Sequence, residues 1–146
     1  MLNGVPVIVT KCRAYGLTKE MVDLMAMETQ TVVEKMNDKM TLTKLDDDED
    51  GNNQYHFYIE TPTFFISDRS LFVTYYKEKD EESGCVTITS GSPGNDDLAE
   101  KHTELAGSTV VANLSISYQK FEPFEGGYNI EQVSCFDANG WIPGGV

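Results

Sequence analysis

Asp46-x-Asp48-x-Asp50-Gly51 places carboxylates at alternate positions and a glycine at the sixth, the first half of an EF-hand calcium loop. Such a loop wraps a hard cation in oxygen ligands and closes with a bidentate Glu at its twelfth position. Here that position is Phe57, the normally apolar eighth position is Asn53, and Thr41–Leu45 leads in as a strand rather than a helix. The ligand that completes the sphere is missing, so no calcium site, other metal or cofactor is expected. Ser92-Pro93-Gly94 is half of a nucleophile elbow, but Ser90 stands where the first Gly belongs and the setting is a Pro-containing turn. A P-loop, a dinucleotide fingerprint and HExxH are all absent. The two histidines, His56 and His102, share no ligand spacing. His56 falls mid-strand opposite the apolar residues and is expected to face solvent. No residue receives a catalytic role, and the chain reads as a non-enzyme.

Cys12, Cys85 and Cys135 are odd in number, widely spaced and without a CxxC pair. They read as reduced thiols of a cytoplasmic protein, neither a disulfide framework nor a zinc site. The opening Met-Leu-Asn-Gly-Val-Pro-Val has no basic region or long apolar run, so no secretory signal is expected. Net charge is −13, from 24 acids against 11 bases. Phosphate backbones repel such a chain, which excludes nucleic acid as a partner and disfavours docking through a basic patch on anionic lipid. Ten of the acids fall in Asp46–Asp50, Asp80–Glu82 and Asp96–Asp97, where turns are expected, so most of the charge is solvated loop.

The elements that must position anything functional follow from periodicity. Val5, Val7 and Val9 alternate with Pro6, Ile8 and Thr10 as a first strand that Gly16 ends. Thr18 has N-cap chemistry for Met21, Val22, Leu24 and Met25 at helical spacing, with Val32, Val33, Met36 and Met40 continuing after a break near Glu28–Thr31. Five of the six methionines lie between Met21 and Met40, as core packing or as a pliable wall against an apolar ligand. A β-meander follows. Tyr55, Phe57 and Ile59 alternate, then Leu71, Val73 and Tyr75, then Val86 and Ile88. Segment 91–107 reads as a loop with one short helix. Ala112, Leu114, Ile116 and Tyr118 make the cleanest alternation, and Gly126–Gly127 turns into a last strand over Tyr128–Phe136. Strand, helix, then successive antiparallel strands give an α+β fold, a curved sheet wrapped about helix.

Two rare residue types stand out: arginine, at Arg13 and Arg69 only, and tryptophan, at Trp141 only. Phe64-Phe65-Ile66-Ser67-Asp68-Arg69-Ser70-Leu71-Phe72-Val73-Thr74-Tyr75 resembles the signature of StAR-related lipid-transfer (START) domains, in which a Pro/Ser-x-Arg-Asp-Phe/Tyr-Val pattern opens a central strand. Asp137-Ala138-Asn139-Gly140-Trp141-Ile142-Pro143 is similar to that family's Asp-x-x-Gly-Trp-x-Pro. The order of elements agrees, and the resemblance runs over nearly the whole chain. Three departures accompany it. Ser70 replaces the usual Asp, and Tyr75 stands where some sterol-binding members carry a second, buried Arg. The family's N-terminal helix and C-terminal lid helix are expected to be missing from residues 1–146, either because the sequence is a fragment or because it is a minimal relative with an open groove.

The resemblance implies a helix-grip fold for residues 1–146 as one START-like domain, with the sheet and helices enclosing a lipid-sized cavity. It implies non-enzymatic lipid binding or transfer, a sterol or phospholipid as partner, and transient membrane contact. The ligand contacts it implies are Arg69, Tyr58, Tyr75 and Tyr118 as polar groups, with Leu114, Ile116 and Trp141. Desolvating a tail supplies about 0.8 kcal/mol per buried CH₂, so binding needs no catalytic group. Trp141 is expected to pack at the end of the sheet. Arg69 is expected to satisfy its donors on a carboxylate or on backbone carbonyls, a distant acid being favoured because Asp68 points the other way in an extended chain. A competing reading is a protein-interaction or regulatory module whose cavity is filled by its own side chains. An enzyme of the cyclase-like helix-grip group is weaker, because no acid–base pair stands out.

Overall fold

The computed structural model describes residues 1–139 except 3, 28, 63 and 93–95, and at 27, 29, 30, 36 and 96 it describes the backbone alone. Strand β1 (Ile8–Tyr15) is followed by helices α1 (Lys19–Met27) and α2 (Thr29–Met36), then strands β2 (Met40–Lys44), β3 (Asn53–Ile59), β4 (Arg69–Lys79) and β5 (Val86–Gly91). Two short helices, α3 (Asp96–Lys101) and α4 (Thr103–Ala106), precede β6 (Val110–Val111), β7 (Asn113–Phe124) and β8 (Gly127–Asp137). The strands form one curved sheet in the order β1-β8-β7-β5-β4-β3-β2, antiparallel throughout except for β6, which pairs parallel with the start of β4. The architecture is α+β, as the periodicity implied.

Thr18 caps α1, its Oγ1 accepting the Met21 N–H at 3.3 Å, so a donor that the helix cannot pair internally finds a partner. Both helices lie on one face of the sheet, here the inner face. Val22 and Ala26 of α1 pack with Val86, Ile88, Phe121 and Tyr128. Val33 of α2 packs against Leu42, Tyr55, Phe57, Leu71, Val73 and Ala112. Cross-strand partners share a face, so the register Leu42↔Phe57↔Leu71 and Tyr55↔Val73 delivers these side chains inward together. Each of the large ones contributes about 1.5–3 kcal/mol by leaving water. The methionines divide: Met25 and Met40 pack against these clusters, whereas Met21 is exposed.

The outer face is not left to solvent. Phe72 packs there with Leu45 and with Leu98 of α3, flanked by Ala99, Leu105 and Ala106. This overturns the expectation for His56, which is 3% exposed beneath that cover. Its Nε2 lies 2.9 Å from Ser70 Oγ, and Ser70 Oγ lies 2.6 Å from Thr109 Oγ1, which donates to the Ala106 carbonyl. A carbonyl only accepts, so the protons run one way: Thr109 to Ala106, Ser70 to Thr109, His56 Nε2–H to Ser70. Sheet and α4 are tied by that chain of hydroxyls.

Three boundaries differ from the sequence reading. The first strand begins at Ile8, three residues later than its valines imply, with Val5 pairing only with Leu2 in an isolated bridge. Segment 96–106 holds two helices rather than one. Strand β7 is irregular between Leu114 and Ile116, where its register with β8 slips: Leu114 faces Phe136, but Ile116 faces Cys135. The bulge spends one extra residue, so everything after it changes face.

Candidate functional site

Strand β4 builds the floor of an inner-face groove of about 470 Å³ with Arg69, Leu71, Val73 and Tyr75. These alternate residues share a face and, at about 3.3 Å per residue, span roughly 20 Å. Phe57 and Ile59 of β3 and Met40 of β2 form one wall, and Leu114 of β7 and Phe136 of β8 the other. The β3–β4 connection supplies Thr61, Pro62 and Ile66 at the Arg69 end. On that same connection Phe64 and Phe65 stand 89% and 73% exposed, their rings 3.9 Å apart between centroids. Apolar length lies between two polar ends.

Arg69 occupies one end and is only 4% exposed. Its Nε donates to the Ala138 carbonyl at 2.8 Å, Nη2 to the Asn139 carbonyl at 2.9 Å, and Nη1 to the Ser67 carbonyl. Asn139 is held for this contact. It takes a left-handed φ of 51°, its N–H bonds Asp137 Oδ1 at 2.9 Å, and its Nδ2 bonds the Val111 carbonyl at 2.9 Å. The two segments that carried the family resemblance therefore touch: the Arg motif grips the backbone of the Asp137–Asn139 turn. The acceptors are carbonyls, not the distant acid expected. Asp68 does turn away, accepting from the Thr61 N–H at 2.9 Å, Thr61 Oγ1 at 3.1 Å and the Tyr58 hydroxyl. The Thr61 backbone bond, then the Tyr58 hydroxyl, hold its carboxyl below the usual carboxylate range.

At the other end the ladder aligns Tyr75↔Ser90↔Ser117 across β4, β5 and β7. All three side chains line the groove, and none of the three hydroxyls has a hydrogen-bond partner among the described residues. Burial, and then neighbouring Tyr55, push the Tyr75 hydroxyl well above its ordinary value, so it is a neutral donor and acceptor. Tyr55 meets the Tyr75 ring edge-on with centroids 5.5 Å apart, and the Lys77 ammonium sits 5.7 Å from its centroid. Tyr75 also borders a second cavity of about 600 Å³, reached past Asp23 and Ala26 of α1, Asn52, Lys77 and Val86. Tyr75 is the residue the two linings share.

Of the residues implied by the resemblance, the groove gathers Arg69, Tyr75 and Leu114. Tyr58 lies on the opposite face, in a polar cleft with Asp68, Leu105 and Thr109. Ile116 and Tyr118 pair with Cys135 and Val133, a position the β7 bulge turns away from Leu114 and Ser117. Trp141 lies outside the described residues. Met40, read in the sequence as the end of a helical rhythm and as one of the methionines of a pliable wall, does line the groove, but from strand β2. Ser90, Ser117 and Phe136 received no ligand role in the sequence, and only cross-strand register could have found the serines.

No protein-family model matches the chain, and no curated protein matches it. Solved structures do. The lipid transfer and protein localization domain of human StarD13 superposes with a TM-score of 0.71 at 14% identity, over 96% of this chain and 66% of that one. Human STARD10 gives 0.72 at 10% identity, over 94% and 53%. A STAR-related lipid transfer protein from Xanthomonas axonopodis gives 0.66 at 15% identity, over 98% and 76%. The chain thus spans between about half and two thirds of the length of the two human structures. What the likeness establishes is architecture: this chain has the helix-grip fold of START domains.

Proposed function

We propose that the chain is a non-enzymatic lipid-binding and lipid-transfer module that carries one elongated amphiphile in the inner-face groove. The observation that carries the reading is the row Arg69, Leu71, Val73, Tyr75, an apolar floor with a polar group at each end. Small-molecule sites are mostly apolar, with a few polar groups fixing orientation, and this groove fits that description. The neighbours' fold adds support, since two of the matched structures are named for lipid transfer. Phe64 and Phe65, exposed on the connection that forms the rim, suit brief contact with a bilayer interface, where aromatic rings are favoured. Among the described residues no helix is long and apolar enough to cross a membrane. The free thiols of Cys12, Cys85 and Cys135 fit work in the reducing cytoplasm. An interaction module with a filled cavity is the weaker reading, because about 470 Å³ stays empty beside the core.

The test is extraction of the purified protein with organic solvent followed by mass spectrometry, with Val73→Trp as the blocked control. A lipid at near-stoichiometric level in the native protein, lost in the variant, is the expected result. A clean extract, together with no uptake from lipid vesicles, overturns the proposal.

A further inference from the structure

We infer that the cargo is a single-chain amphiphile with a carboxylate head, received by Arg69. The inference rests on the groove being a lipid site and names the class of lipid. Arg69 is the one charged side chain among the fifteen that line the groove. The chain carries 24 acids, yet among the described residues none forms an ion pair with this buried guanidinium. The three carbonyls satisfy donors without neutralising the charge. Asp68, its sequence neighbour and close enough to feel the guanidinium, spends its oxygens on Tyr58 and Thr61. The buried charge therefore keeps no bonded counter-charge among the described residues, which is costly.

A guanidinium has five N–H donors. Among the described residues Nε, Nη1 and Nη2 make one bond each, which leaves one N–H on each terminal nitrogen. Two hydrogens on adjacent nitrogens of a planar fork match the two oxygens of a carboxylate. The charge matches too: one negative charge cancels one positive. A phosphate monoester carries about −1.5 to −2 at neutral pH and would overshoot. A zwitterionic head would bring a cation for which the lining holds no acid. A neutral alcohol would leave the guanidinium charge unpaired. The tail has room. An acyl chain covers one leaflet, about half of the roughly 30 Å hydrocarbon core. The floor from Arg69 to Tyr75 is about 20 Å long and apolar between its ends, enough for one such chain.

Calorimetric titration of the full chain with palmitate, 1-hexadecanol, palmitoyl lysophosphatidate and cholesterol, each delivered from cyclodextrin, tests this. Palmitate is expected to bind at least about tenfold more tightly than the chain-matched alcohol and more tightly than the lysophosphatidate, a gap of about 1.4 kcal/mol for each tenfold. Arg69→Lys, which keeps the charge and loses the fork, should narrow the palmitate preference, and Arg69→Met should abolish it. If Arg69→Met does not fold, the native comparison and the Lys variant still decide. Alcohol or cholesterol binding as tightly as palmitate overturns the carboxylate assignment and leaves lipid binding standing. A lysophosphatidate preference replaces the carboxylate by a phosphate and overturns it equally. Binding of none of the four overturns both proposals.

Discussion

His56 lies under α3 and α4, with the Phe72 ring 4.8 Å away between centroids and His102 stacked on that same ring at 6.4 Å. Burial, and secondarily the charge of His102, hold its imidazole below the ordinary value of about 6.5. Below that pH the unfolded chain takes up a proton that folded His56 resists, so its contribution is intact above about 6.5 and is lost as pH falls toward the lowered value. Thermal melts at about pH 7.5 and about pH 5.5 should therefore show a larger drop for the native protein than for His56→Gln, whose amide can still donate to Ser70. Equal drops would mean that His56 is protonated without cost. Arg69 poses the matching question for a permanent charge. Arg69→Met keeps the apolar stem and strips donors from three carbonyls, all on partly or fully exposed residues. Urea unfolding should register a loss of about 1–3 kcal/mol. No loss would mean that the grip on the Asp137–Asn139 turn is idle. At the calcium-like run, Asp48 Oδ1 accepts the N–H groups of Asp50 and Asn52 at 3.0 and 2.8 Å, and Oδ2 accepts Asn52 Nδ2 at 3.0 Å. Its carboxylate organises a turn.

Strand β7 carries the main lesson at the level of elements. Alternation in sequence put Leu114, Ile116 and Tyr118 on one face, and for an unbroken strand that inference is sound. The slip between Leu114 and Ile116 sends the last two outward and brings Ser117 in, and nothing in Asn113-Leu114-Ser115-Ile116 announces it. A bulge is settled by what the neighbouring strands need, which is why pattern alone missed Ser117 and kept Tyr118. The alternation of Tyr55, Phe57 and Ile59 and of Leu71 and Val73 was legible because those strands run without interruption between paired neighbours. His56 failed for a different reason: one-sided burial was assumed, whereas α3 and α4 cover the second face around Phe72. The β7–β8 hairpin offers a test of how closely the elements fit. A Cβ built on Gly127 would sit 1.9 Å from the Ala14 carbonyl oxygen of β1. Gly127→Ala must push a backbone aside, and a loss of about 1–3 kcal/mol in denaturant unfolding is expected. A neutral result would show that β1 can shift away from β8 freely.

For the whole molecule, the sheet has open edges at β1 and β2, and α3 and α4 cover its outer face only around Phe72, with the groove and the second cavity both on the side of α1 and α2. Tyr75 packs against both inner clusters and borders both cavities. Removing it in Tyr75→Ala should cost about 3–5 kcal/mol, in the range for large aromatic truncations. The same change should let the protein take up a bulkier lipid than the native form accepts, measured by competitive extraction from mixed vesicles. Unchanged size selection would place the barrier elsewhere. The interior thus holds two rooms with Tyr75 as the residue their walls share, one room of about 470 Å³ and one of about 600 Å³. Capacity in such a vessel does not grow by degrees. On the proposed lipid-binding reading, exchange at this one position is expected to change it in a step, joining about 470 Å³ to about 600 Å³ and so more than doubling the space open to a ligand.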